Sequence, residues 1–285
     1  MRLVDAITQG SGAINEAGWG YIGEANNVEA AWVFDGVTGI NGVDIMPVGS
    51  DARWLVDRAG AHLQHLAAQD QPLPLILAHL VDGLVHDWRA ATSGIAIPAD
   101  YDPPAACLIL VKRYGDNWKG LRLGDSCLLA RSFDGDHHVM AASPNNVFDH
   151  WLAREAKARR DRGILDTQAL LAEFRPQMTV SRSKRNQPDG YSILEADHAA
   201  LAIPEFFDLD DADAILLNTD GFYRAVDHYG LCSNESLISA CLKPDGVSHV
   251  LHALRAVEAA DASCEKYPRF KPSDDATAVM LNKEP

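Results

Sequence analysis

Cysteine is scarce in this 285-residue chain, and the five present (Cys107, Cys127, Cys232, Cys241 and Cys264) are scattered, odd in number and never in C-x-x-C spacing. That pattern excludes a disulfide framework and a zinc ribbon, and it makes the reducing cytoplasm the expected compartment. Long apolar runs are missing as well. The first ten residues carry one arginine but no signal-peptide core, and no segment reaches the ~18 apolar residues of a membrane span, so neither secretion nor insertion is expected. Positive charge is in short supply: 25 Lys and Arg against 40 Asp and Glu leave a formal charge of -15. A surface that repels phosphate backbones and anionic headgroups argues against nucleic acid or membrane as a partner, whereas local acidic clusters suit cations. Internal repeats, low-complexity tracts and Pro/Gly/Ser linkers are also absent, so the 47% hydrophobic residues are expected to build one domain over residues 1–285.

Two apolar stretches, 29–34 and Ala212–Asn218, run into Asp35-Gly36 and Asp220-Gly221. Each reads as a buried strand stopped by a D-G turn. Further strands are expected at 105–112, 119–123, 126–132 and Ala276–Asn282, with a hairpin connection at 114–117. Strands this close in sequence favour antiparallel pairing. Helical periodicity begins behind Ser50, a suitable N-cap, with Leu55, Ala59, Leu63 and Leu66 on one face, and resumes over 75–88. Later helices are expected at 147–160, 166–174, 235–242 and 248–262. Strands and helices come in blocks, which predicts an α+β layered fold. Basic runs at 157–160 and 182–185 set the stretch from about 148 to 190 apart as a helical or flap insertion.

Asp35 and Asp220 each end an apolar strand and Asp274 precedes another. If those strands lie side by side, three carboxylates converge on one sheet rim, where their repulsion is costly without a cation. Hard cations such as Mg2+ and Mn2+ take oxygen ligands of this kind. The competing readings are plain: a D-G dipeptide is common turn punctuation, and an Asp such as Asp125 between two strands often bonds its own backbone. The eleven histidines show no zinc spacing, and Gly10-x-Gly12 lacks the third glycine of a nucleotide loop.

Five short segments then carry a resemblance: N-E-A-G at 15–18, W-V-F-D-G at 32–36, L-G-D-S at 123–126, N-T-D-G at 218–221 and S-D-D-A-T at 273–277. In this order they resemble the motifs N-E-D, F-D-G, G-D-S, S-D-G and D-N-x-T of the PPM, or type 2C, metal-dependent protein phosphatases. The resemblance implies a four-layer α-β-β-α sandwich of two antiparallel sheets flanked by helices, with a centre for two divalent cations, Mn2+ or Mg2+. Carried over by position, Asp35 bridges both cations and holds a metal-bridging water. Glu16 and the carbonyl of Gly36 then bind one cation, Asp220 and Asp274 the other, and Asp125 belongs to a weaker third site. Asp274 is preferred to Asp275 because the family motif places its ligand first. The implied reaction is attack of that water on the phosphorus of a phosphoserine or phosphothreonine, without a phosphoenzyme; the implied partner is a phosphorylated protein or a small phosphoester.

Three positions depart from the pattern. Ala17 replaces the Asp of N-E-D, Gly12 stands where an Arg usually grips the phosphate, and Arg224 replaces an Asp that helps to hold the third metal. Arg182 and Arg185 are the candidates to bind phosphate instead, with Arg224 as a further one, against the plain reading of 182–185 as a solvated loop. The departures keep two other readings open: a pseudophosphatase that binds without catalysis, and a phosphomonoesterase for small molecules.

Overall fold

The computed structural model describes residues 1–47, 49–135, 137–140, 146–164 and 166–283. Among them, two antiparallel sheets carry the fold. One runs in the order β1 (Arg2–Gln9), β11 (Ala276–Asn282), β10 (Ala212–Asn218), β6 (Cys127–Ser132), β7 (His137–Met140). The other runs β2 (Gly18–Glu24), β3 (Asn27–Val37), β4 (Ala105–Tyr114), β5 (Asn117–Leu123), β9 (Glu205–Asp208), with β8 (Leu194–Glu195) paired to β4.

Side-chain alternation explains how the layers stack. On β3, Ala31 and Val33 point into the space between the sheets, where they meet Ile109, Ile215, Leu217 and Val279. Their neighbours Ala30, Trp32 and Phe34 point outward, onto Leu55, Leu63, Ile76 and Leu80 of α1 (Asp51–Leu66) and α2 (Leu73–Ala91). The other sheet is covered in the same way by α5 (Asp220–Asp227), α6 (Asn234–Cys241) and α7 (Gly246–Ala260). Because both faces of each central strand are covered, these strands read as unbroken apolar runs. The result is the α-β-β-α sandwich. Outside these layers, α3 (Asn146–Arg160) and α4 (Thr167–Arg182) pack on each other around Leu152, Ala156, Leu170 and Phe174, against Phe270. Among the described residues no helix is long and apolar enough to cross a membrane.

Several local features match their sequence signals. The Ser50 hydroxyl accepts from the Arg53 amide at 3.1 Å and caps α1. The β4–β5 hairpin turns at Gly115, φ 64°. Three expectations fail. Asp35-Gly36 lies inside β3 and Asp220-Gly221 opens α5, so neither is a D-G turn. α4 does not stop near 174 but continues through Pro176 to Arg182.

The loop between α7 and β11, which carries Asp274, is held by one buried ion pair. Arg269, 3% exposed, donates to Asp261 Oδ2 at 2.7 Å and to the carbonyls of Glu258, Asp261, Tyr267 and Pro272. Asp261 also accepts from the amides of Glu265, Lys266 and Tyr267. Burial works against its charge, but these amides and Arg269 win and hold the carboxyl down to about 2. Asp261→Ala should leave a buried guanidinium unpaired and cost about 3–5 kcal/mol in urea denaturation at neutral pH. The folded-state pKa is depressed, so the stability that Asp261 adds is complete above the unfolded value of about 4 and is lost as pH falls toward 2. The gap between wild type and variant should close over that window.

Candidate metal centre

The acidic residues reach one place from opposite sides of the sandwich. Asp35 and Gly36 sit in β3, paired with Cys107 and Ala106 of β4. Asp125 lies in the connection from β5 to β6. Asp220 follows β10 and opens α5 behind the N-cap Thr219, and Asp274 precedes β11, the strand beside β10. The strands of Asp35, Asp220 and Asp274 are therefore not side by side on one rim, as their spacing suggested. Asp35 and Gly36 come from one sheet, and Asp220 and Asp274 from the ends of strands in the other. Asp35, Gly36, Asp125, Asp220 and Asp274 all line a single cavity of about 380 Å³, together with Cys107, Asp149, Arg182 and Lys271.

The glycine after each aspartate is there for proximity. A Cβ on Gly36 would lie 2.6 Å from the Glu16 carbonyl oxygen and 2.9 Å from Glu16 Cβ; one on Gly221 would lie 2.1 Å from the Asp275 carbonyl oxygen. Both glycines let two main chains close up beside the carboxylates.

Electrostatics divide the cavity. Burial, then the facing Asp220 and Asp274, push Asp35 well above the usual carboxylate range. Burial and Asp220 likewise push Asp125 up to about 6, although the Cys107 thiol donates to its Oδ1 at 3.0 Å. Asp274 behaves in the opposite sense. Despite burial, Lys271 and Arg224 hold it below the usual range: Arg224 Nη2 is 2.6 Å from its Oδ2, and Lys271 Nζ pairs with its Oδ1.

Glu16, 8% exposed, is not among the residues that line the cavity. Its Oε2 accepts from the Thr38 hydroxyl, and its carbonyl accepts from the Gly36 amide at 3.2 Å. Asp275 is separated from Asp274 by function: it accepts from the Glu16 amide at 2.7 Å and from the Ser11 amide and hydroxyl at 2.7 and 2.9 Å, tying the N-terminal loop to β11. Thr38, Asp149 and Lys271 were not found from sequence. None sits in a recognisable motif, and only the fold brings them here.

The two arginines expected to take the phosphate are differently placed. Arg185, 7% exposed, is paired with Asp102 at 3.1 Å and Glu195 at 3.2 Å and does not line the cavity. Arg182 reaches the rim, but its guanidinium pairs with Asp102 and donates to the Thr38 carbonyl at 2.7 Å.

Among the described residues no three Asp, Glu, His or Cys side chains form a finished metal cage, since Glu16 is turned to Thr38 and Asp274 to its two cations. The donor chemistry of the rest nevertheless suits a hard divalent ion. Asp35, Asp220, Asp125 and the Gly36 carbonyl offer only oxygen, and the carboxylates that face one another here leave negative charge for a cation to neutralise.

Comparison with known proteins agrees with the fold. A family model described as protein phosphatase 2C matches residues 9–255. The serine/threonine phosphatase PstP/Ppp of Mycobacterium tuberculosis has a similar fold, with a TM-score of 0.56 at 16% identity over 99% of this chain and 98% of that one. Stp1, a serine/threonine phosphatase of Staphylococcus aureus, gives 0.56 at 12% identity over 100% and 98%. The PstP catalytic domain in complex with two manganese ions gives 0.53 at 16% identity over 98% and 96%. No curated protein matches the chain in sequence.

The close approach at Gly36 makes a direct prediction. Gly36→Ala must part β3 from Glu16, and about 1–3 kcal/mol of stability should go with it, read as a shift of the urea midpoint without a change of slope.

Proposed function

This chain belongs to the protein phosphatase 2C family of metal-dependent serine/threonine protein phosphatases, and we propose that it hydrolyses phosphoserine and phosphothreonine monoesters by direct attack of water on phosphorus. The observation that carries this reading is the convergence of Asp35, Asp125 and Asp220 on one cavity from opposite sheets. A divalent cation bound by these oxygens, Mn2+ or Mg2+, lowers the pKa of water and neutralises charge on the phosphoryl group.

Asp35 and Asp220 would hold the cation in this reading, and the Gly36 carbonyl would add a neutral oxygen beside them. Glu16 supports that side, fixed by Thr38 at its carboxylate and by Asp275 at its amide. Asp125 faces the same space from the β5–β6 connection. Arg182 is a positioning residue here: through the Thr38 carbonyl it holds the residue that orients Glu16. A thiolate nucleophile is disfavoured, because burial pushes both nearby thiols, Cys107 and Cys127, well up. Water is the nucleophile in this reading.

The test is hydrolysis of p-nitrophenyl phosphate against Mn2+ and Mg2+ concentration. Activation should saturate, and Asp35→Asn or Asp220→Asn should lower kcat/KM by about a thousandfold, the equivalent of several kcal/mol of lost charge stabilisation, while circular dichroism stays that of the wild type. Undiminished activity in both variants would sink the assignment.

A further inference from the structure

Asp274 is where this chain departs from its own motif pattern. Its position before β11 points it into the cavity, yet both of its oxygens are already engaged. Oδ2 accepts from Arg224 Nη2 at 2.6 Å. Oδ1 pairs with the Lys271 ammonium and accepts from the Asp275 amide at 2.9 Å. A divalent ion on either oxygen would stand beside a full positive charge, and like charges at contact distance oppose one another strongly where water is sparse.

Neither cation is a casual surface residue. Arg224 lies one helical turn after Asp220 on α5, so its side chain folds back toward Asp220 Oδ2, 4.0 Å away, as well as Asp274. Lys271 sits three residues before Asp274 in the loop that the Arg269–Asp261 pair holds, and it lines the same cavity as Asp35. Their side chains are 19% and 39% exposed. Two fixed positive charges thus stand on Asp274, and one of them lies 4.0 Å from Asp220.

We propose that Arg224 and Lys271 replace a metal ion at Asp274, so that this chain takes up a divalent cation only among Asp35, Gly36 and Asp220. The fixed pair neutralises the Asp274 corner at every metal concentration. The inference rests on the reading of Asp35 and Asp220 as cation ligands. It goes beyond that reading by assigning the number of ions and the residues that set it.

The experiment is the stoichiometry of Mn2+ on the full chain, by equilibrium dialysis and by native mass spectrometry, for wild type, K271Q and the R224Q/K271Q double variant. One equivalent on the wild type and a second equivalent on the double variant are expected. Thermal denaturation gives an independent reading: removing the fixed charges should lower the Tm of the metal-free double variant, and Mn2+ should restore it by more than it raises the wild type. Two equivalents on the wild type, unchanged in the variants, would overturn the proposal while leaving the metal-centre reading intact. No Mn2+ on any of the three would overturn both. Should the double variant fail to fold, the wild-type stoichiometry and the single variant K271Q decide the question.

Discussion

Mutual repulsion among carboxylates that face one another across the sandwich is the constraint to which the rest of this protein answers. Carboxylates gathered in a cavity partly withdrawn from water repel on a scale that matters against the few kcal/mol by which a fold is stable. The two sides of the cavity differ: fixed cations stand on Asp274, while burial and its acidic neighbours push Asp35 well above the usual carboxylate range. The backbone is arranged around both. β3 and β10 deliver their aspartates from opposite sheets, and Gly36 and Gly221 let neighbouring main chains close behind them.

The outlying elements serve the same place through polar contacts. Because α4 runs on past Pro176, Arg182 comes within reach of the Thr38 carbonyl and Asp102. Arg185 then pairs with Asp102 and Glu195, and Asn186 with Glu195 at 2.8 Å. Partly buried ion pairs add little net stability, since desolvation offsets their attraction. What this group contributes is position. It links the end of α4 to Thr38, whose hydroxyl holds Glu16.

Where each element was legible in sequence follows from what builds it. Central strands such as β4 and β10 are apolar on both faces, and α1 carries a cap and a periodic stripe, so local signals sufficed. β2 was missed because Gly18, Gly20 and Gly23 give it little strand propensity; Gly20 is needed there because a Cβ would lie 2.5 Å from the Trp32 ring. β1 was missed as a partly buried strand of mixed polarity that is completed by pairing with β11. α5 was hidden behind a dipeptide whose commonest use is a turn. The helix expected over 166–174 runs on through Pro176 to Arg182.

The order of the five motifs that carry Glu16, Asp35, Asp125, Asp220 and Asp274 was legible in the sequence itself, because each motif is a run of neighbouring residues and two of them end apolar strands. Which sheet each belongs to, that Asp275 braces the N-terminal loop while Asp274 faces the cavity, and that Arg224 and Lys271 stand on Asp274 were decided only in three dimensions. Those contacts join residues up to 264 positions apart or depend on which way a side chain turns at the end of a strand. Neither spacing nor composition encodes them until the two sheets have packed.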